Sequence, residues 1–353
     1  MNKIKAAIIS ISGTKLTDEE KYLIERENPL GVSLFARNIK TPRQLLALTD
    51  SIKNTVGRNN ILIAVDQEGG RVCRLAPPYF RKYMAQSIIG RFDIEKARLA
   101  AQLHAELIAD DFHKCGINCN FAPTLDISLP FLTPALKSRC FSRNPRLVTE
   151  LGQLMIDTYY HHSVLPCIKH IPGHANAKND PHLKLSVINK IFERYLYPFK
   201  QIAPHALMAM TAHIVLREID SLPITMSEKA IRELIRGRFD FKGILISDAL
   251  EMRALSGSLQ EKTLACRHAG CDAVCYCLGD MQGVQTVLDN CGYLSSAAIE
   301  TFEKISKLIT SDYYPQNIAA KARQYNHLSR QAQPLIDDYD AVEVLMKLQK
   351  STE

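Results

Sequence analysis

The stretch GILISDALEM (residues 243–252) runs through three apolar residues, two of them β-branched, and then meets an acid, Asp248. A short apolar run opened by glycine and closed by polar residues reads as a strand buried on both faces. Seven other runs share this form: KAAIISIS (5–12), GVSLFARN (31–38), ILIAVDQ (61–67), CNFAPTLD (119–126), PCIKHIPG (166–173), ALMAMTAHI (206–214) and CDAVCYCLG (271–279). Amphipathic segments lie between them. TPRQLLALTDSIKNTVG (41–57) starts on a Thr-Pro pair suited to an N-cap and first helical position, and 95–116 reads as a long helix ending at Gly116. Segments 143–163, 189–202 and 227–239 continue the alternation. Eight buried strands, each followed by helix, predict an α/β chain folded as a closed (β/α)₈ barrel. The competing arrangement is an open doubly wound sheet, but no GxGxxG follows any run. After about residue 292 the pattern is purely helical, so 293–353 is expected to form peripheral helices on a single catalytic domain spanning 1–353.

Composition agrees with a large globular core, since 46% of the residues are hydrophobic and 23% charged. The net charge of +7 comes without a dense Lys/Arg run, which argues against nucleic acid as a partner. No stretch approaches the roughly 20 apolar residues of a membrane span. MNKIKAAIISISG is too short and too serine-rich for a leader, so a cytoplasmic monomer is expected. Ten cysteines contain no CxxC pair. Cys271, Cys275 and Cys277 are read as core residues sharing one side of the last strand, and not as a metal cluster.

Polar residues recur at the C-terminal ends of the runs: Asp66, Asp126, Lys169 with His170, His213, and Asp248. Barrel enzymes carry their chemistry on that rim, and charges ending apolar strands are expensive to bury without a use. Taken alone, Asp248 fits a helix N-cap as well as a nucleophile. Segment 169–182 packs Lys169, His170, His174, Asp180 and His182 onto one loop after a strand. Asp180 and His182 are two apart, so the carboxylate can bond one imidazole nitrogen and tune a proton carrier. In VDQEGGRVCRL (65–75), Gly69 and Gly70 permit a tight turn, with Arg71 and Arg74 beyond it. SRCFSRNP (138–145) supplies Arg139 and Arg143. A zinc-dependent hydrolase built on His170, His174 and His182 is a competing reading.

Taken in series, LFARN (34–38), VDQEGGRVCRL, NFAPTLDIS (120–128), RCFSRNP (139–145), KHIPGH (169–174), DPH (180–182), MTAHI (210–214) and FKGILISDALEM (241–252) resemble glycoside hydrolase family 3, in its short β-N-acetylglucosaminidase branch of bacterial peptidoglycan recycling. The resemblance runs from about Gly31 to Gly279. It implies a retaining mechanism with Asp248 as nucleophile and His182, paired with Asp180, as acid/base. Asp66, Arg74, Arg139, Lys169 and His170 match sugar-binding positions. It implies a muropeptide substrate bearing terminal N-acetylglucosamine, with no metal or organic cofactor. A β-glucosidase-like relative, a phosphorolytic variant and an impaired sugar-binding protein are the alternatives. The chain departs from the family pattern at Ala249, where a second acid is usual, and at Ala175, where glycine is usual. Pro181 lies inside the Asp-x-His dyad and is expected to restrict its geometry. Lys137 and Ser138 replace the glycine and aspartate usual before the arginine motif.

Overall fold

The computed structural model describes residues 3–130, 132–174 and 177–332. Ala175 and the end of the chain, 333–353, lie outside the described residues. Eight parallel strands close into a barrel: β1 (Lys5–Ser10), β2 (Pro29–Leu34), β3 (Leu62–Val65), β4 (Cys119–Asn120), β5 (Leu165–Pro166 and Ile168–Ile171), β6 (Met208–Thr211), β7 (Ile244–Ala249) and β8 (Ala273–Cys275). β1 pairs with both β2 and β8. Closure falls in β5, whose first piece pairs with β4 and whose second pairs with β6. All eight apolar runs therefore hold a barrel strand, in the order expected.

A main helix follows each strand, with shorter helical turns in several connections: α1 (Asp18–Glu27), α2 (Pro42–Val56), α3 (Ile94–His113), α4 (Pro145–His161), α5 (Glu193–Ile202), a π-helix (Ala230–Arg238), α6 (Leu259–Ala269) and α7 (Met281–Asn290). The caps follow the sequence. The Thr41 hydroxyl accepts the Gln44 N–H, Pro42 opens α2, and Gly57 closes it in the left-handed region at φ 72°. Segment 227–239 is helical as expected, but its central turns are wound wider than α.

Strand side chains alternate between two apolar layers. Residues such as Ile8, Leu62, Met208, Ile246 and Cys275 fill the barrel, whereas Ile9, Ile63, Ala209, Leu245 and Val274 pack outward against the helices. Cys271 belongs to the outer layer and Cys275 to the inner one. The expectation that they share a side is corrected. The strand begins only at Ala273, so Cys271 lies on the connection before the pleat sets in.

Beyond the barrel come α8 (Ser296–Ile309) and α9 (Ile318–Gln331). α8 is not peripheral. Its Phe302 and Ile305 join the inner layer and plug the N-terminal end of the barrel. The C-terminal end is left for polar side chains. Among the described residues, no helix is long and apolar enough to cross a membrane.

Candidate active site

The C-terminal mouth of the barrel holds a cavity open to solvent. Asp66, Arg74, Arg139, Lys169, His170, Asp180, His182 and Asp248 all line it. Every side chain singled out in the sequence for catalysis or sugar binding thus reaches one space, because consecutive strands of a parallel barrel end side by side.

The β3–β5 side is a continuous ionic network. The Lys169 ammonium, 1% exposed, lies 2.7 Å from Asp66 Oδ1 and 2.5 Å from Glu68 Oε1. Arg139 grips Glu68 with its planar fork, Nε to Oε2 and Nη2 to Oε1, both at 2.8 Å. Burial pushes the Glu68 carboxyl up, but Arg139 and Lys169 reverse this and hold it far below the usual range. Asp66 behaves alike under Lys169 and Arg74, whose Nη2 is 3.5 Å from Asp66 Oδ2. Glu68 was not picked out in the sequence. The hairpin Gln67–Gly69 with Val72–Cys73 turns it inward. Gly69 sits at φ 102°, where an added Cβ would fall 2.0 Å from the Met84 carbonyl oxygen, so the turn requires glycine.

α9 braces this hairpin from outside. The Met84 N–H donates to the Tyr325 hydroxyl at 2.8 Å, which leaves that hydroxyl to donate to His104 Nδ1, also at 2.8 Å. His104 Nε2 then donates to the Glu68 carbonyl oxygen at 3.0 Å. Burial lowers the His104 pKa to about 4, which keeps the ring neutral as this chain of bonds demands.

Asp126, at the end of the β4 run, is buried and orients two histidines. Its Oδ2 accepts from His170 Nδ1 at 2.8 Å, and its Oδ1 accepts the His174 backbone N–H at 2.6 Å with His174 Nδ1 at 3.2 Å. His170 Nε2 faces Arg139 Nη2 at 3.2 Å. Burial lowers the His170 pKa to about 4 against the pull of Asp126, so Nδ1 donates to Asp126 and Nε2 accepts from Arg139. Both His170 nitrogens are thereby committed. Asp126, His170 and His174 bring ligand atoms within 4.8 Å of one another, but His182 is not in that group. The three-histidine zinc centre weighed in the sequence is not assembled.

On the opposite wall, β7 delivers Asp248. No helix follows it until α6, whose N-cap is Ser258, so the N-cap reading is excluded. Asp248 Oδ1 accepts only the adjacent Ala249 N–H, at 2.8 Å, among the described residues. Burial raises its pKa, and His213, His170 and His182 bring it below the ordinary value, leaving a carboxylate at neutral pH. His213 is buried, with Nδ1 2.7 Å from Thr225 Oγ1, and its Nε2 donates to the Ala249 carbonyl oxygen at 3.1 Å. It thereby holds the backbone beside Asp248.

The Asp180–His182 pair is formed across Pro181. Asp180 Oδ1 accepts from His182 Nδ1 at 2.8 Å and from the His182 backbone N–H at 2.9 Å. The Pro181 and His182 carbonyls accept the Ala254 and Arg253 N–H groups, tying this loop to the segment after Asp248.

Glu251 is the second side chain that sequence reading passed over. Ala249 lines the cavity where an acid is usual, and two residues on Glu251 lines it with a carboxyl. Burial, with Asp248 adding to it, raises the Glu251 pKa to about 7. A raised carboxyl favours folding fully below its ordinary value of 4.5, and that contribution is lost as pH climbs through 7. Glu251→Gln removes this titration. Denaturation midpoints of wild type and variant are therefore expected to diverge between pH 4.5 and 8, the variant gaining up to about 3 kcal/mol. Parallel pH profiles would remove Glu251 from this account.

A closed parallel barrel with a paired histidine, a buried carboxylate and a charged cavity at its C-terminal mouth defines a barrel hydrolase. Residues 2–308 match the family described as Glycosyl hydrolase family 3 N terminal domain, and the chain belongs to that family. It is 34% identical over 279 residues to a beta-hexosaminidase of Alkalilimnicola ehrlichii, covering 76% of this chain and 80% of that one. It is 31% identical over 295 residues to a beta-hexosaminidase of Psychromonas ingrahamii, covering 81% and 86%. Among solved structures it superposes with a TM-score of 0.80 on NagZ from Neisseria gonorrhoeae in complex with N-trifluoroacetyl-D-glucosamine, at 26% identity, covering 93% of this chain and 98% of that one. The glycoside hydrolase family 3 beta-N-acetylglucosaminidase from Paenibacillus sp. gives the same TM-score at 25% identity, covering 93% and 67%.

Proposed function

We propose that the chain, acting as one catalytic domain, is a retaining exo-β-N-acetylglucosaminidase that removes terminal β-linked N-acetylglucosamine from peptidoglycan fragments in the cytoplasm. The observation that carries this reading is the 2.8 Å Asp180–His182 hydrogen bond at the wall of the cavity that also contains the ionised Asp248. Similarity to beta-hexosaminidases and to a structure bound to N-trifluoroacetyl-D-glucosamine supports the substrate class.

In this mechanism the Asp248 carboxylate attacks the anomeric carbon as the glycosidic bond breaks, and His182 protonates the departing oxygen. Asp180 stabilises the imidazolium. The glycosyl–Asp248 ester is then opened by water, whose proton His182 takes, so the product keeps the β configuration. Most retaining glycosidases use two carboxyl groups for these roles. Here the paired imidazole replaces the acid. Lys169, Asp66, Arg74 and Arg139 position the non-reducing sugar through charged hydrogen bonds.

Turnover of an aryl β-N-acetylglucosaminide and of the matching β-glucoside tests the assignment, with the N-acetylated substrate expected to have the higher kcat/KM. The product in phosphate buffer is expected to be the free sugar, not a sugar phosphate. His182→Ala is expected to lower kcat/KM by about 10²–10⁴-fold on a disaccharide, whose leaving oxygen needs a proton. It should be spared on a dinitrophenyl glycoside, whose leaving group does not. Equal losses on both would refute His182 as the acid.

A further inference from the structure

Glu68, Arg139 and Lys169 come from three separate pieces of chain, and one short segment ties all three together. Residues 83–87 are buried, and none of them lines the cavity proposed to hold the sugar. The Gly70 N–H donates to the Tyr83 carbonyl oxygen at 3.0 Å, which holds the Glu68 hairpin. The Gln86 side-chain amide donates to the carbonyl oxygens of Thr124 at 2.9 Å and Arg139 at 2.8 Å, and accepts the Thr124 N–H at 3.1 Å. The Ser87 N–H donates to the Ser138 carbonyl oxygen at 3.3 Å. Thr124 in turn bridges to Lys169. The backbones beneath all three members of the ionic network are thus referred to segment 83–87. Charged side chains hold a productive geometry only where the backbone beneath them is fixed.

The segment is itself bolted from outside by Tyr325, which is 1% exposed. Its hydroxyl accepts the Met84 N–H and donates to His104 Nδ1, and His104 Nε2 donates to the Glu68 carbonyl oxygen. One hydroxyl therefore meets both the segment and the Glu68 hairpin. Tyr325 stands on α9, beyond residue 308 where the match to the family ends. We infer that Tyr325 is a positioning residue for the proposed reaction, so that α9 belongs to the machinery that binds the sugar without touching it. This rests on the proposed function, which supplies the sugar. Loss of the hydroxyl leaves the Met84 N–H and His104 Nδ1 buried without a partner, which is costly. Any shift that finds Met84 a new acceptor carries the Glu68 and Arg139 backbones with it. Asp248, Asp180 and His182 are not moved, because segment 83–87 makes no hydrogen bond to them among the described residues.

The test measures KM and kcat of wild type, Tyr325→Phe, Gln86→Ala and the double variant on an aryl β-N-acetylglucosaminide, well below their melting temperatures. Tyr325→Phe is expected to raise KM about tenfold and to change kcat less than about threefold. A merely structural role gives the opposite split, since partial unfolding lowers the active fraction, and with it kcat, while KM stays. Gln86→Ala is expected to raise KM likewise. The double variant should raise KM by clearly less than the product of the two single effects, because both residues act through one segment. Tyr325→Phe with unchanged KM overturns the inference, and so does an effect confined to kcat. If Tyr325→Phe does not fold, Gln86→Ala decides by the same criterion. Amide hydrogen exchange at Gly70 and Ser87 separates this inference from the proposed function. Tyr325→Phe is expected to lower their protection tenfold or more, and unchanged protection overturns the inference. Absence of turnover in wild type, with that protection still lost in the variant, refutes the catalytic reading and leaves the bolt standing.

Discussion

Asp248→Ala is expected to lower kcat on an aryl β-N-acetylglucosaminide by at least about 10³-fold while leaving the fold as stable as wild type. The two halves of this expectation have separate causes. Without the carboxylate no glycosyl ester forms, and the cavity retains only binding and proton transfer, which cannot substitute for a missing nucleophile. Stability is spared because Asp248 supports nothing. It caps no helix, and its one hydrogen bond goes to the neighbouring Ala249 N–H. Burial works against its charge, and the nearby histidines outweigh burial and hold its pKa below the ordinary value, so any stability it adds comes from these electrostatics and not from packing or capping. Circular dichroism and denaturant midpoints alongside the kinetics check both halves. Full activity in the variant, or a collapse of the fold, would each contradict the assignment.

Glu68→Ala is expected to act the other way, with a loss of stability of about 3–5 kcal/mol. Glu68 is 1% exposed and sits between two cations, Arg139 at 2.8 Å and Lys169 at 2.5 Å. Removing its carboxylate leaves an almost fully buried ammonium facing only Asp66, and a guanidinium without its fork partner. Breaking one side of such a buried pair is far more damaging than replacing the whole set by apolar groups. The same change should raise KM, because both cations line the cavity proposed to hold the sugar. Glu68→Gln, which keeps the shape and one acceptor oxygen, should recover part of the stability. Guanidinium denaturation of the three proteins measures the difference. A loss below about 1 kcal/mol in the alanine variant would mean that the network is held together by something other than Glu68.

The barrel was legible in the sequence because strands covered on both faces carry unbroken apolar runs, and all eight runs contain a strand. Their lengths were less legible. CNFAPTLD yields only the two residues of β4, since Pro123 has no N–H to donate, although Thr124 still bridges to Lys169. The plug formed by α8 was hidden for another reason. An apolar stripe tells that a helix face is buried, not that it is buried against the inside of a barrel. That Asp248, His182 and strand-end residues such as Asp66 and Lys169 line one cavity was legible because each ends a run or lies on a polar loop directly after one. Glu68 was missed because its meaning is non-local. Its partners come from the loop after β4 and from β5, and only the turn at Gly69 and Gly70 brings it between them. The signal that could have found it is an acid two residues past Asp66 in a strand-turn segment with no basic neighbour to pair with before Arg71. Pro181, expected to restrict the dyad, occupies a turn in which Asp180 accepts both the ring and the backbone N–H of His182.

The central claim is that Asp248 forms a covalent bond to the sugar. Inactivating the enzyme with a 5-fluoro-N-acetylglucosaminyl fluoride, which slows opening of the ester, and mapping the adduct by mass spectrometry tests this directly. The predicted result is one sugar per chain, attached to the peptide containing Asp248 and absent from Asp248→Ala. An adduct on another carboxylate, such as Glu251, would contradict the assignment, and so would turnover that releases the α-anomer first.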